Sequence, residues 1–182
     1  MATDLTGAAN FATVMGMISW VAENALERGT AEYASNKTER EVLTFGEASG
    51  NSNQIWSDIR VVAADATDTL DMTATLTNHR GTAITFDTIH AVMIHNRSDE
   101  TLTSPAHTAS AAVIDVLGHA DTGLLLLKAT GDTLTLAAGD WTLFYFKGGR
   151  TVTADTGDIL DVIETATLEA CYEIIIVGVT AT

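Results

Sequence analysis

Asp65-Ala-Thr-Asp-Thr-Leu-Asp-Met72, Ala129-Thr-Gly-Asp-Thr-Leu-Thr-Leu136 and Asp155-Thr-Gly-Asp-Ile-Leu-Asp-Val162 follow nearly one pattern. In each, small and acidic residues build a turn, and a strand with alternating side-chain types starts directly after it. A turn followed by a strand, used three times, predicts an antiparallel β-fold assembled from short pieces.

Outward from these octets the pattern stays β. Strands are expected over residues 55–63, 69–76, 84–95, 111–116, 124–129, 133–136, 141–146, 158–163 and 170–177. Turn signals separate many of them: Asn78-His-Arg-Gly81, Asn96 to Glu100, Gly118 to Gly123, Ala138-Gly-Asp140 and Lys147-Gly-Gly149. Short strands at this spacing predict an antiparallel β-sandwich or a jelly-roll-like domain over residues 55–182. Pro105, the only proline, falls in the polar loop from Asn96 to Ala109, where a missing N–H matters little. Trp141, Leu143 and Tyr145 share one face of their strand, and Phe144 and Phe146 the other. Two apolar faces predict a central strand.

The N-terminal part reads differently. Phe11, Val14, Met15, Ile18, Ala22, Ala25 and Leu26 recur at helical spacing, with Gly29 placed to stop the run. A helix is therefore expected over 8–27, forming an α-helical arm over residues 1–29. Met17, Trp20 and Val21 widen its apolar face, which suits docking either on its own sheet or on a neighbour. Residues 30–54, polar but for a short strand over 42–45, read as a connector.

The 182 residues carry 24 acidic against 9 basic side chains, a net charge of -15. No basic cluster exceeds two cations in one short stretch, so direct contact with nucleic acid along a charged stripe is not expected. A hydrophobic content of 46% with only 18% charged residues describes a packed domain, and a chain this long buries roughly 70% of its unfolded surface without a staple. The start Met-Ala-Thr-Asp has no basic n-region, and no apolar run approaches ~18 residues. The chain thus reads as made in the cytoplasm, with no membrane contact.

Candidate chemistry is sparse. Asp65, Asp68 and Asp71, and likewise Asp155, Asp158 and Asp161, sit at intervals of three. Neither set matches a calcium loop, and residues three apart on a strand point to opposite faces, so turn building explains them better than a metal. His79, His90, His95, His107 and His119 show no zinc-ligand spacing, and His90 and His95 lie five apart on one strand. Cys171, the only cysteine, is flanked as a buried strand residue and reads as an apolar filler. There is no nucleophile elbow, P-loop or dinucleotide fingerprint, so the expectation is a protein without enzymatic activity, cofactor or metal.

A resemblance adds to this. Leu43-Thr-Phe-Gly46, Gln54-Ile-Trp-Ser-Asp58, Ala63 to Met72 and Thr85-Phe86 resemble segments of a group of small tailed-bacteriophage virion proteins. So do Val152-Thr-Ala-Asp-Thr-Gly-Asp-Ile-Leu160 and Tyr172-Glu-Ile-Ile-Ile-Val-Gly178. The likeness covers about two-thirds of the chain in moderately specific motifs, and residues 98–124 depart from it. It implies a β-rich structural component of the head surface or the tail, localised to the virion, with no catalytic residues to carry over. The leading expectation is a capsid decoration (cement) protein, a homotrimer bound to the major capsid protein. Phe11, Val14, Met15, Ile18 and Trp20 would grip the neighbour. The alternatives are a tail tube or minor tail protein, or a free ligand-binding or adhesin module.

Overall fold

The three octets end in one sheet. The structure, a computed structural model, describes residues 12–26, 29–45, 51–74, 76–77, 81–118, 123–124, 126–127, 132–165 and 167–180; in the first two segments Leu43 is the one side chain described. Among these residues there are thirteen strands and no helix: Ala12–Leu26 (β1), Gly29–Phe45 (β2), Asn51–Ser52 (β3), Gln54–Val62 (β4), Thr67–Asp71 (β5), Thr88–Asn96 (β6), Leu102–Thr103 (β7), Ala106–His107 (β8), Ile114–Gly118 (β9), Thr133–Leu136 (β10), Trp141–Thr151 (β11), Ile159–Glu164 (β12) and Ala170–Val179 (β13). The octet strands β5, β10 and β12 join β9 in the order β10-β9-β12-β5. The second sheet runs β11-β6-β13-β4, and every pairing in both is antiparallel.

The octet turns explain how those strands start. Asp65 and Asp155, the first residues of the first and third octets, have positive φ of 55° and 62°. Aspartate tolerates this left-handed backbone better than most side chains. The chain reverses there, and the strands that follow pair with each other, Leu160 opposite Leu70 and Ile163 opposite Thr67.

One core joins the two sheets in a sandwich-like arrangement. Leu70, Ile114, Val116, Leu136, Leu160 and Val162 come from the first sheet. They meet Trp56, Val62, Val92, Ile94, Tyr172, Ile174 and Ile176 from the second. Met72, Leu76, Ile84 and Phe86, between β5 and β6, close the same cluster. Each large side chain so buried contributes about 1.5–3 kcal/mol against leaving it in water. No disulfide contributes, since Cys171, the one cysteine of the chain, is buried on β13.

Three expectations are corrected here. Residues 12–26, expected within a helix over 8–27, form β1, paired with β2 from Ala12 opposite Leu43 to Leu26 opposite Gly29. Residues 1–11, and Phe11 with them, lie outside the described residues. The physical reason is that Val14, Ile18 and Ala22, four apart, satisfy a period of two as well as one of 3.6. The β-branched Thr13, Val14, Ile18 and Val21, with Trp20, favour the strand, and Gly16 within a helix costs roughly 0.5–1 kcal/mol. Most of the polar stretch read as a connector is the other half of this hairpin.

The second correction concerns β11, which is an edge strand and not a central one. Its second apolar face belongs to the outside of the sheet. Third, Lys147-Gly-Gly149, expected as a turn ending the strand at 146, does not end it. β11 runs on to Thr151 through a bulge, with Tyr145 opposite Ala91 and then Arg150 opposite Ile89. Gly149 makes this possible: its φ is 73°, and a Cβ would stand 2.3 Å from Thr88 Cγ2.

Candidate interaction surface

The register of β4, β13, β6 and β11 lays out the outer face of their sheet in rows. Ile55, Val177, Ala91 and Tyr145 form one row, and Ser57, Ile175, Met93 and Leu143 the next. Ile59, Glu173, His95 and Trp141 form the third. The alternate residues, such as Trp56, Ile176, Val92 and Phe144, point into the core. An outer face of an antiparallel sheet normally alternates to polar residues. This one does not.

Leu43, near the C-terminal end of β2, is buried against Ala91 and Val177, with Tyr145 and Ile175 beside it. The β1–β2 hairpin is thus rooted on one corner of this face. Exposure of the face's large side chains is greatest on the two edge strands, where Trp141 on β11 is 62% exposed and Ile55 on β4 42%; Met93, Leu143 and Ile175 between them are half-buried. Its one carboxylate in these rows, Glu173, lies 3.3 Å from Arg97, which also reaches Glu100 at 2.6 Å. In a chain of net charge -15 this is a nearly neutral apolar patch. Such patches mark interaction sites when they are contiguous.

Four of the partner-contact residues expected from sequence, Val14, Met15, Ile18 and Trp20, lie on β1. Val14, Ile18 and Trp20 fall on one parity of the strand and Met15 on the other, so they do not form the single stripe a helix would have given them. The face of the second sheet was missed by sequence reading. The signal for it was present in the doubly apolar Trp141 to Phe146 segment.

The acidic turns do structural work. Asp68 accepts hydrogen bonds from Arg60 Nη2 at 2.8 Å, from Arg60 Nε, and from the Tyr172 hydroxyl at 2.7 Å. Asp71 Oδ1 accepts from Thr73 N, Thr73 Oγ1 and Ala74 N, at 2.8, 2.8 and 3.0 Å. Asp158 Oδ2 accepts from Asp155 N, and Asp161 Oδ1 from Thr69 Oγ1. Among the described residues no three His, Cys, Asp or Glu side chains gather as metal ligands.

The histidines disperse as well. His90 is buried with Nδ1 3.2 Å from the Phe146 carbonyl, inside the β11 bulge. His95 lies on the outer face, and His79 and His119 are outside the described residues. His107 is buried between Glu169 Oε1 at 3.0 Å and the Ser98 carbonyl at 3.2 Å. With Asn96, which donates to the Ala112 and Leu136 carbonyls, it ties the loop after β6 to the sandwich. No local motif announces that contact, because Glu169 is 62 residues away. Burial pushes the Cys171 thiol up, against the Arg97 charge, so it is a poor thiolate source.

No protein-family model matches the chain, and no curated protein matches it in sequence.

Proposed function

We propose that this chain is a structural protein of a tailed-bacteriophage particle, a capsid decoration (cement) protein that seats on the head lattice as a symmetric oligomer. The β1–β2 hairpin carries this reading. Rooted by Leu43, its fifteen-residue β1 extends about 50 Å, longer than any strand of the sandwich. A two-stranded ribbon of that length has little stability alone, so an arm of this kind is built to lie on a neighbour. Val14, Met15, Ile18 and Trp20 are the residues proposed to meet it.

The strand order supports the same reading. Counted in chain order, the eight sandwich strands form one sheet first–eighth–third–sixth and another second–seventh–fourth–fifth. That is the order of a jelly roll, an architecture used by capsid and lectin domains alike. Fold alone does not assign function, and the arm and the nearly neutral face favour the capsid use. A trimer on a threefold position would place three arms around one junction of the major capsid protein. The net charge of -15 disfavours contact with packaged DNA.

Heating heads that lack this protein tests the proposal. They are expected to release DNA at a lower temperature than complete heads, and adding the purified full chain is expected to restore the difference. Equal release temperatures with and without the protein would overturn it.

A further inference from the structure

We infer that the cleft beside the β11 bulge is a binding site for a sugar acid, a single sugar ring that carries a carboxylate. This goes beyond the decoration reading and stands without it. The cleft offers about 370 Å³, at the small end of ligand sites and of a size for one ring.

Three pieces of irregular backbone form its walls, and each is pinned. Gly149, Arg150 and Thr151 make the first, where β11 shifts register against β6. Thr153, Thr156 and Gly157 make the second, a tight turn closed by Thr156 N donating to the Thr153 carbonyl. Buried Asp158 holds that turn by accepting from Asp155 N. Gly123 and Leu124 make the third, with Leu124 N donating to the Ile159 carbonyl and the Leu124 side chain in the core. Walls fixed in this way cost little ordering when a small ligand arrives.

Charge and hydrogen-bonding capacity select the ligand. Arg60 and Arg97 each hold two carboxylates. Arg150, in a chain with 24 acidic side chains, lies within ion-pair distance of no carboxylate among the described residues. Its guanidinium carbon instead stands 4.9 Å from the centroid of the Phe146 ring, which packs against the core. That contact holds the guanidinium while its N–H groups stay available to a bidentate acceptor. Among the described residues no second cation lines the cleft. A carboxylate with one charge therefore suits it better than a phosphate with two, in so acidic a chain. No described residue engages the hydroxyls of Thr151, Thr153 or Thr156, and a hydroxyl that both donates and accepts matches the hydroxyls of a sugar. A second cleft, between β4 and the Ser104-Pro105 tip, lacks such groups: its carboxylates, Asp58 and Glu173, are already bound to Arg60 and Arg97.

Amide NMR of the purified full chain, titrated at constant ionic strength with sodium glucuronate and separately with sodium N-acetylneuraminate, tests this. The expected result, with at least one of the two, is saturable shifts confined to residues 123–124, 148–151 and 153–157. The dissociation constant should be on the order of 1 mM. Glucose, which lacks the carboxylate, and acetate, which lacks the ring, should each bind at least about tenfold more weakly. Arg150→Gln should weaken the sugar acid by a similar factor, and because Arg150 is exposed the variant should keep the spectrum of a folded protein. No saturable shift with either sugar acid up to about 50 mM overturns the inference, as does unchanged affinity in Arg150→Gln. Glucose or inorganic phosphate binding as tightly as the sugar acid overturns the ligand class. Should the variant misfold, the glucose and phosphate comparisons on the unsubstituted chain decide. Because no head is present, failure here leaves the decoration reading intact, and failure to bind heads leaves this inference intact.

Discussion

Gly178→Ala is expected to cost about 3 kcal/mol of stability, lowering Tm by roughly 6–12 °C in a domain of this size. Gly178 lies on β13 where its register with β6 shifts: Val177 faces Ala91, and Gly178 faces Ile89. A Cβ there would stand 2.2 Å from the Thr88 carbonyl oxygen, 2.8 Å from Phe86 Cδ1 and 3.2 Å from Ile89 Cα. Two of those three atoms are backbone in the neighbouring strand, so a rotamer change cannot relieve the clash. The effect therefore falls at the upper end of overpacking costs. Gly148→Ala serves as the control, since a Cβ there meets nothing within 4 Å, and should change stability by less than about 0.5 kcal/mol. Urea unfolding of both variants gives the comparison. A loss under about 1 kcal/mol for Gly178→Ala would mean that β13 and β6 are not held this closely.

Asp68→Ala is expected to cost about 2–3 kcal/mol, because it strands two partners at once. The Arg60 guanidinium and the Tyr172 hydroxyl both point at this carboxylate, and Asp58 offers Arg60 only a half-exposed alternative at 3.1 Å. The figure sits below the range for a fully buried pair because the Arg60 side chain is one-third exposed. Burial by itself would raise the Asp68 pKa, but the hydrogen bonds from Arg60 and Tyr172, with the Arg60 charge, hold it below the ordinary carboxylate value. Burial, reinforced by the Asp68 charge, keeps the Tyr172 phenol well above its usual value.

The sign of the pH effect follows. A carboxylate whose folded pKa is depressed stabilises the fold fully above its unfolded pKa of about 3.9. That stability is lost as pH falls through the lower, folded value. Urea midpoints measured from pH 6 to pH 2 should therefore fall less steeply below pH 4 in Asp68→Ala than in the unsubstituted protein. Parallel profiles would remove Asp68 from the acid sensitivity of the fold.

What could be read from the sequence was what local chemistry decides. Thr133–Leu136 was placed to the residue, because Gly131-Asp132 and Gly139-Asp140 bracket it, and the strands at 54–62 and 170–179 to within two, on their apolar and β-branched runs. The turn residues Asp65 and Asp155 carry their signal in their own backbone preference. The first strand could not be read this way. In the segment from Val14 to Ala22 nearly every position is small or apolar, so strand and helix periods fit equally well, and a polar partner strand decides the matter from outside the window. Gly148-Gly149 carries a turn signature yet builds a bulge, because β6 lies alongside and His90 bonds the Phe146 carbonyl.

The interaction face shows the same division. Trp141, Leu143 and Tyr145 were visible as an apolar row, but whether a second sheet or open surface lay beyond them depended on the strand order. The His107–Glu169 contact and the Arg60–Asp68–Tyr172 cluster join residues from separate strands and loops. Their spacing in sequence has no period, so tertiary structure alone brings them together. The sheet order also turns the doubly apolar β11 from a core element into a candidate contact edge, which is where the functional proposal gains its second surface.

The number of copies of this chain per purified virus particle, measured by quantitative mass spectrometry against the major shell protein, tests the central proposal most directly. Decoration of the head predicts copies in simple proportion to the shell subunit, on the order of hundreds in a closed symmetric lattice. Copies limited to the low multiples of one ring would contradict it and place the chain in the tail, and absence from purified particles would contradict a virion role altogether.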